Sequence, residues 1–393
     1  MYNESYFTER LSSFYRDFDR SLRTIGSENL GSQDIFFRLS RFANPTLEYS
    51  EIKRICNDLD KISLDPDESS GHKRWPVAWK FASERYKLIA EKAETENFQV
   101  TAGNNFLRAS LLAHAGQMMC RPEWPEKIDL QKVRASCYKR AAHHLGLEEH
   151  QIPFGNHSLP GYLWIPKGAR KAPLVIMAPG ADSTKEECHR WAEAFVARGM
   201  ATFTFDGPGQ GELTPLIEKS LPMRLESYHE VFSTILDYFE KISYDQLDIS
   251  RTALWGQSMG GHLVLRAFEK EKRPRAGVDL AGPPNMNVFP FMSADTQERI
   301  RDLFGFSSFE ETWDYCQKFG NAIIPASNLP VPCLIVHGSR DPLVSDEVIS
   351  QLMKSLGKNG ELLAFNDGNH GVFNWDFVMT DKMADWLIKK LFK

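Results

Sequence analysis

Three residues of this 393-residue chain have the types and surroundings that nucleophilic catalysis needs: Ser258, Asp341 and His370. Ser258 lies in Gly256-Gln257-Ser258-Met259-Gly260, directly behind a short apolar run (252–255) and directly ahead of a helical pattern. A serine on so tight a strand-to-helix turn is forced into a strained backbone that pushes its hydroxyl outward. Small residues two before and two after it leave room for the reversal. A hydroxyl of this kind needs a base, and the base needs an orienting acid. His370 follows the apolar run at 361–365, in Asn366-Asp367-Gly368-Asn369-His370-Gly371. Asp341 follows the run at 333–337, in Gly338-Ser339-Arg340-Asp341-Pro342. The reading is therefore Ser258 as nucleophile, His370 as general base and then acid, and Asp341 as the carboxylate that orients the imidazole. A lone histidine or aspartate would carry little, since the first usually packs and the second usually forms turns. Three of them at successive strand ends, in the order Ser, Asp, His, carry much more.

Other residues compete for these roles. Asp279 ends the run Ala-Gly-Val-Asp-Leu (276–280) and is the rival acid. Asp367 is too near His370 along the chain to orient it easily. His337 reads as a strand-end core residue, and His262, one turn beyond Ser258, as packed under the sheet. Acyl chemistry also requires two donors for the developing oxyanion. The amide of Met259 is one. The other is expected from Pro179-Gly180-Ala181-Asp182-Ser183, with Ala181 as donor and Gly180 supplying backbone freedom. Ser183-x-x-Glu186 reads as a capping box opening a helix over 184–197. The stretch Asp206-Gly207-Pro208-Gly209-Gln210-Gly211-Glu212 has neither the Gly-Lys-Ser/Thr ending of a phosphate loop nor dinucleotide-binding spacing. It reads as a shaped turn on the rim of the site.

The elements that must position these residues follow from periodicity. After Glu148, short strands rich in Val and Ile (151–154, 159–165, 174–178, 201–205, 252–255, 276–280, 333–337 and 361–365) alternate with amphipathic helices. The strands from 174–178 on are apolar on both faces, which implies a mostly parallel sheet covered by helices on both sides. Ligands bind such sheets beyond the C-terminal strand ends. Before Glu148 the spacing is helical. Trp79, Ala82, Tyr86, Ile89 and Ala93 form one stripe, and small Ala102, Ala109, Ala113 and Gly116 let a second helix approach closely. A third helix covers about 130–145. Residues 34–43 and 50–62 read as two more, and 63–74 as a polar linker. The domains expected are a helical one over 1–147 and a catalytic one over 148–393.

Bulk properties exclude several classes. The chain is 42% hydrophobic and 25% charged, ordinary for a globular protein. A formal charge of −5 offers no field for polyanions, so nucleic acid is not an expected partner. The six cysteines, Cys56, Cys120, Cys137, Cys188, Cys316 and Cys333, include no Cys-x-x-Cys pair, so neither zinc nor a disulfide framework is signalled. No apolar run approaches the roughly 20 residues of a membrane span, and the polar start lacks a signal-peptide core. A cytoplasmic protein with no cofactor, no metal and no membrane partner is expected.

With its Gly-Gln-Ser-Met-Gly elbow, its Gly-Ser-Arg-Asp-Pro-Leu-Val acid loop and its Asp-Gly-Asn-His-Gly histidine loop, the catalytic part resembles the α/β-hydrolase superfamily. The helices from Trp75, "LPGYLWIP", "PGADSTKEE" and "FDGPGQGE" resemble one branch of it. That branch holds fermentation/respiration-switch-type proteins, the dihydroxypseudooxynicotine hydrolase of nicotine breakdown and polyketide-shortening hydrolases. The likeness covers about residue 75 to the C-terminus. Many hydrolases carry His-Gly where this chain has Pro179-Gly180, which bears on the Ala181 assignment. The resemblance implies an α/β-hydrolase fold with an N-terminal helical domain that is both lid and dimer contact. It also implies cleavage of a C–C bond beside a ketone, in a polyketide or aryl-ketone substrate. Ester or thioester hydrolysis would use the same triad and is the alternative. A non-catalytic regulator on this fold is disfavoured because every triad position is filled. Phe289, Phe291, Trp124 and Trp375 are aromatic candidates for the pocket or for the core.

Overall fold

The computed structural model describes residues 74–118, 120, 124–214, 221–322 and 331–392, together with 41, 50–52 and 54–55. The polar linker up to residue 73 and most of the two helices expected before it lie outside these residues, as does Cys56; Arg74, expected in the linker, opens a helix. Residues 50–52 and 54–55, within the second of those helices, are helical. Two compact units divide the chain, Met1–Ala141 and Ala142–Lys393.

The first unit contains α1 (Arg74–Thr95), α2 (Gln99–Gln117) and most of α3 (Pro125–Leu145). Ala102, Ala109 and Ala113 are fully buried. A β-carbon on Gly116 would meet the Trp79 Cβ at 2.9 Å, so α1 and α2 touch where small residues permit it. The buried face of α1 differs by a rotation from the stripe read in the sequence. It runs through Trp75, Ala78, Trp79, Ala82, Ala90 and Ala93, while Ile89 is 45% exposed. Tyr86 is half-buried because its hydroxyl donates to the Glu51 carboxylate at 3.2 Å.

The second unit is built on an eight-stranded sheet in the order β1-β2-β4-β3-β5-β6-β7-β8. The strands are β1 (Glu148–Phe154), β2 (His157–Trp164), β3 (Ala172–Ala178), β4 (Ala201–Phe205), β5 (Leu247–Gln257), β6 (Ala276–Leu280), β7 (Cys333–Gly338) and β8 (Gly360–Phe365). The first two form an antiparallel hairpin whose second strand also pairs antiparallel with β4; every later pairing is parallel. All residues of β3, β4, β6 and β7 are buried, as two-faced burial demands. The helices are α4 (His189–Val196), α5 (His229–Ile242), α6 (Met259–Ala267), α7 (Ala294–Phe304), α8 (Phe309–Phe319), α9 (Asp346–Leu356) and α10 (Asp376–Leu391). Val231, Phe232, Ile235, Leu236 and Phe239 of α5 form one buried stripe in the core. Burying each such side chain is worth about 1.5–3 kcal/mol.

Several elements are longer than expected, β5 (Leu247–Gln257 against 252–255) most of all, and one helix begins late. The helix expected from Thr184 begins at His189, and residues 185–188 are turns. The Ser183 hydroxyl is engaged by the Gln257 Oε1 at 3.0 Å, and the Lys185 backbone amide by the Asp206 Oδ1 at 2.9 Å. The Ser183 side chain that would open a capping box is thus drawn to the end of β5, and the Lys185 amide to the end of β4. The described cysteines, Cys120, Cys137, Cys188, Cys316 and Cys333, are buried. Among the described residues no helix is long and apolar enough to cross a membrane.

Candidate active site

Ser258 joins β5 to α6 with φ 53° and ψ −118°, left-handed territory that a side chain enters only when its surroundings force it. The forcing groups are close. A β-carbon on Gly256 would lie 2.1 Å from the Gly260 carbonyl oxygen, and one on Gly260 would lie 2.1 Å from that of Ala178. The Ser258 amide donates to the Leu280 carbonyl at 2.7 Å, pinning the turn to the end of β6. The serine is thereby held half-exposed between buried neighbours.

The fold brings Ser258, His370 and Asp341 together from the ends of three strands. His370 Nε2 lies 2.9 Å from the Ser258 Oγ, and its Nδ1 lies 2.8 Å from the Asp341 Oδ2. The other carboxylate oxygen of Asp341 accepts from the Leu343 amide at 2.8 Å and the Val344 amide at 3.2 Å, which fixes the plane of the group. With its Nδ1 facing an acceptor, the imidazole keeps a proton on that nitrogen and presents Nε2 as a base. Such an arrangement can deprotonate a serine hydroxyl and return the proton to a leaving group.

The competing residues lie elsewhere. Asp279 is wholly buried near the end of β6, where its Oδ1 accepts from the Gly282 amide at 2.7 Å and its Oδ2 has no hydrogen-bond partner among the described residues. Burial pushes its carboxyl up to about 8, and the nearby Asp341 charge adds to the rise. It is therefore neutral at pH 7. His262 is buried with its Nδ1 2.9 Å from the Pro283 carbonyl, and burial lowers it to about 4. His337 is buried with its Nε2 2.8 Å from Asp346. Asp367 accepts the Trp375 indole N–H at 2.6 Å. Of the aromatic candidates in the second unit, Phe289 is core, whereas Phe291 and Trp375 are 84% and 40% exposed.

The loop after β3 carries Ala181, whose amide was expected as the second oxyanion donor. It is braced from several sides by groups that spacing alone does not reveal. Gln210 Nε2 donates to the Pro179 and Gly180 carbonyls at 2.7 and 2.8 Å. Arg299 of α7 reaches the neighbouring Asp182 at 2.8 Å. The Lys185 ammonium is buried among three carboxylates, at 2.7 Å from Asp206, 2.5 Å from Glu212 and 2.9 Å from Glu186. These three carboxylates lie within 4.8 Å of one another, a donor set that suits a divalent cation. The ammonium among them supplies the positive charge. The tight turn at Gly211, with φ 46°, exists for this cluster, since a β-carbon there would strike the Asp206 carboxylate at 2.1 Å. The sequence signal for the bracing was the density of polar residues in Asp-Gly-Pro-Gly-Gln-Gly-Glu directly after β4.

Comparison with known proteins agrees with this architecture. A family model described as serine aminopeptidase, S33, matches residues 169–290. The crystal structure of the 2,6-dihydroxy-pseudo-oxynicotine hydrolase superposes with a TM-score of 0.79 at 25% identity, over 90% of this chain and 95% of that one. The chain has the α/β-hydrolase fold. It is also 28% identical over 317 residues to the 2,6-dihydropseudooxynicotine hydrolase of Paenarthrobacter nicotinovorans, covering 80% of this chain and 83% of the relative. It is 33% identical over 267 residues to the α/β-hydrolase xenA of Xenoacremonium sinensis, covering 65% of this chain and 57% of the relative. It is 32% identical over 222 residues to the 20-hydroxy-prefusarin hydrolase FUS2 of Gibberella moniliformis, covering 53% of this chain and 52% of the relative. The matches to the two fungal proteins thus span little more than half of their length.

Proposed function

We propose that this α/β-hydrolase is a serine hydrolase that cleaves a C–C bond beside a ketone, with Ser258, His370 and Asp341 as its triad. The observation that carries the triad is the run of two short contacts, Ser258 Oγ to His370 Nε2 and His370 Nδ1 to Asp341 Oδ2. The likeness to a hydrolase of 2,6-dihydropseudooxynicotine and to 20-hydroxy-prefusarin hydrolase supports a polyketide or aryl-ketone substrate.

Ser258 Oγ attacks the carbonyl carbon as its proton passes to His370 Nε2. The carbonyl oxygen becomes an oxyanion, held by the amides of Met259 and Ala181. Collapse of the tetrahedral adduct breaks the C–C bond. The electron pair leaves on carbon as an enolate or a phenol-stabilised carbanion, which takes the proton from His370. An acyl ester on Ser258 remains. Water then gives a proton to His370 and attacks the ester, and His370 returns that proton to Ser258 Oγ as the carboxylic acid departs. A carbon leaving group requires such delocalisation, so the substrate carries an acidifying group on the departing side. In this reading the helical residues up to 147 take the part that such segments take in the resembled branch, a lid and a homodimer contact.

A nitrophenyl ester assayed beside an aryl 1,3-diketone tests the proposal. Diketone cleavage that is lost in Ser258→Ala supports it. Ester or thioester turnover with no diketone cleavage would leave the triad and move the substrate class to the acyl-transfer alternative.

A further inference from the structure

We propose that Gln210 is a positioning residue of the oxyanion hole. Its carboxamide locks the Gly180–Ala181 peptide so that the Ala181 N–H is aimed at the oxygen that becomes charged when Ser258 attacks. The inference rests on the Ser258 chemistry proposed above and adds a residue to it.

Gln210 is 1% exposed, and both ends of its amide are in use. Nε2 donates to the Pro179 carbonyl at 2.7 Å and to the Gly180 carbonyl at 2.8 Å. Oε1 accepts from the Gly207 amide at 3.2 Å and from the Tyr228 hydroxyl at 3.3 Å. Tyr228 is itself fully buried, and burial raises its phenol, so it remains a donor at any ordinary pH. The network permits one amide orientation, since a flipped amide would set an oxygen against two carbonyl oxygens and an NH2 against two donors.

The consequence follows from peptide geometry. A trans peptide is planar, with its C=O and N–H pointing in opposite directions. Gln210 holds the Gly180 oxygen, so the Ala181 N–H of the same peptide points away from Gln210. The Ser183 amide also donates to the Gly180 oxygen, at 3.3 Å, and holds the plane from a second side. The peptide sits against the residue before the nucleophile, because a β-carbon on Gly180 would be 3.3 Å from the Gln257 carbonyl oxygen. A carbonyl that accepts two hydrogen bonds also polarises its own amide, which makes the N–H a stronger donor. Gln210 thus acts on the oxyanion through the Ala181 peptide, without touching substrate. The glutamine of the Asp-Gly-Pro-Gly-Gln-Gly-Glu turn thereby gains a specific task.

The test compares Gln210→Met, which keeps length and loses both donors, with Tyr228→Phe, which removes one of the bonds orienting the amide. Each is assayed on 4-nitrophenyl butyrate and with a phenyl trifluoromethyl ketone inhibitor, whose serine adduct is an oxyanion. Sites are counted by end-point labelling with a fluorophosphonate. Loss of a whole oxyanion donor costs about 10²–10³ in kcat, so Gln210→Met is expected to lose roughly 30- to 300-fold per labelled site with KM changed less than about threefold. The inhibitor is expected to weaken by the same factor, and Tyr228→Phe to shift both quantities several-fold in parallel. A residue that only supported the fold would lower the number of labelled sites and leave per-site kcat and inhibitor affinity unchanged; that result overturns the inference. If Gln210→Met does not fold, Tyr228→Phe decides by the same criterion. Hydrolysis that persists in Ser258→Ala refutes the Ser258 reading itself, and the inference falls with it.

Discussion

The assignment of the acid is open to a paired experiment, because two buried carboxyls stand at the ends of adjacent strands and differ in what they touch. In Asp341→Asn, the two backbone amides of Leu343 and Val344 keep the carboxamide oxygen on their side, where Oδ1 now accepts from both. The NH2 then faces His370 Nδ1 at the 2.8 Å separation of the native pair. Nδ1 must become the acceptor, the ring proton moves to Nε2, and the imidazole can no longer take the Ser258 proton. The expected loss in kcat is about 10⁴-fold, the magnitude for a triad whose histidine is held in the wrong tautomer. Asp279→Asn should keep kcat within about fivefold, since Asp279 reaches neither His370 nor Ser258, and a contact outside the reacting groups leaves transition-state binding intact.

Asp279 has a stability signature of its own. The unfolded aspartate releases its proton near its ordinary value of 3.8, the folded one near about 8. Between those pH values the folded state holds one proton more, so this group's contribution to stability falls as pH rises from about 4 to about 8. At 1.36 kcal/mol per unit, the swing is on the order of 5 kcal/mol. In Asp279→Asn that dependence disappears, while the new NH2 without a partner costs about 1–3 kcal/mol at every pH. The Tm of the variant minus that of the wild type should therefore become more positive between pH 5 and pH 8. Near-normal turnover in Asp341→Asn, with collapse in Asp279→Asn, would refute the assignment. A pH-independent Tm difference would refute the neutral Asp279.

Two further outcomes follow from the geometry. Lys185→Met leaves the Asp206, Glu212 and Glu186 carboxylates without the ammonium among them, and breaking a buried ion pair this way is expected to cost about 3–5 kcal/mol; chemical denaturation measures it, and a change under 1 kcal/mol would show that the cluster is not held as charges. Ser258→Gly and Ser258→Ala should both lose turnover, but only glycine relieves the φ of 53°, so Ser258→Gly should be the more stable by about 1 kcal/mol in thermal melts.

The parts of this molecule legible from sequence were those with a short-range signature. The elbow announces itself because Gly256 and Gly260 serve a local reversal, and β3, β4, β6, β7 and the second half of β5 because burial on both faces makes them continuous apolar runs; β8 is an apolar run although most of it is exposed or half-buried. The hairpin strands β1 and β2 gave a weaker signal because they pair antiparallel, and β1 is exposed at alternate positions. The false helix start at Thr184 shows the limit. Ser183 and Glu186 have the spacing of a cap, but their partners, Gln257 and Lys185 with its acidic neighbours, come from other strand ends or point inward, and no local pattern records that. Ile89 erred in the same way, since periodicity sets a stripe's spacing but not which rotation of it faces inward. Asp279 could be named as a rival acid from its strand-end position. Its neutrality depends on complete burial, which only the assembled sheet supplies.

The dispersal of the site along the chain has a kinetic consequence. Ser258, Asp341 and His370 belong to the ends of β5, β7 and β8, and Gln210 to the end of β4; none of these strands is stitched to its sheet neighbours by a hairpin. Parallel neighbours must each close a long loop before any contact rewards it, which makes such pairing slow. No early local nucleus contains the nucleophile together with its base. On refolding from denaturant, helical signal should therefore return before hydrolysis does, and recovered activity would time the last docking of the sheet rather than the first collapse of the chain.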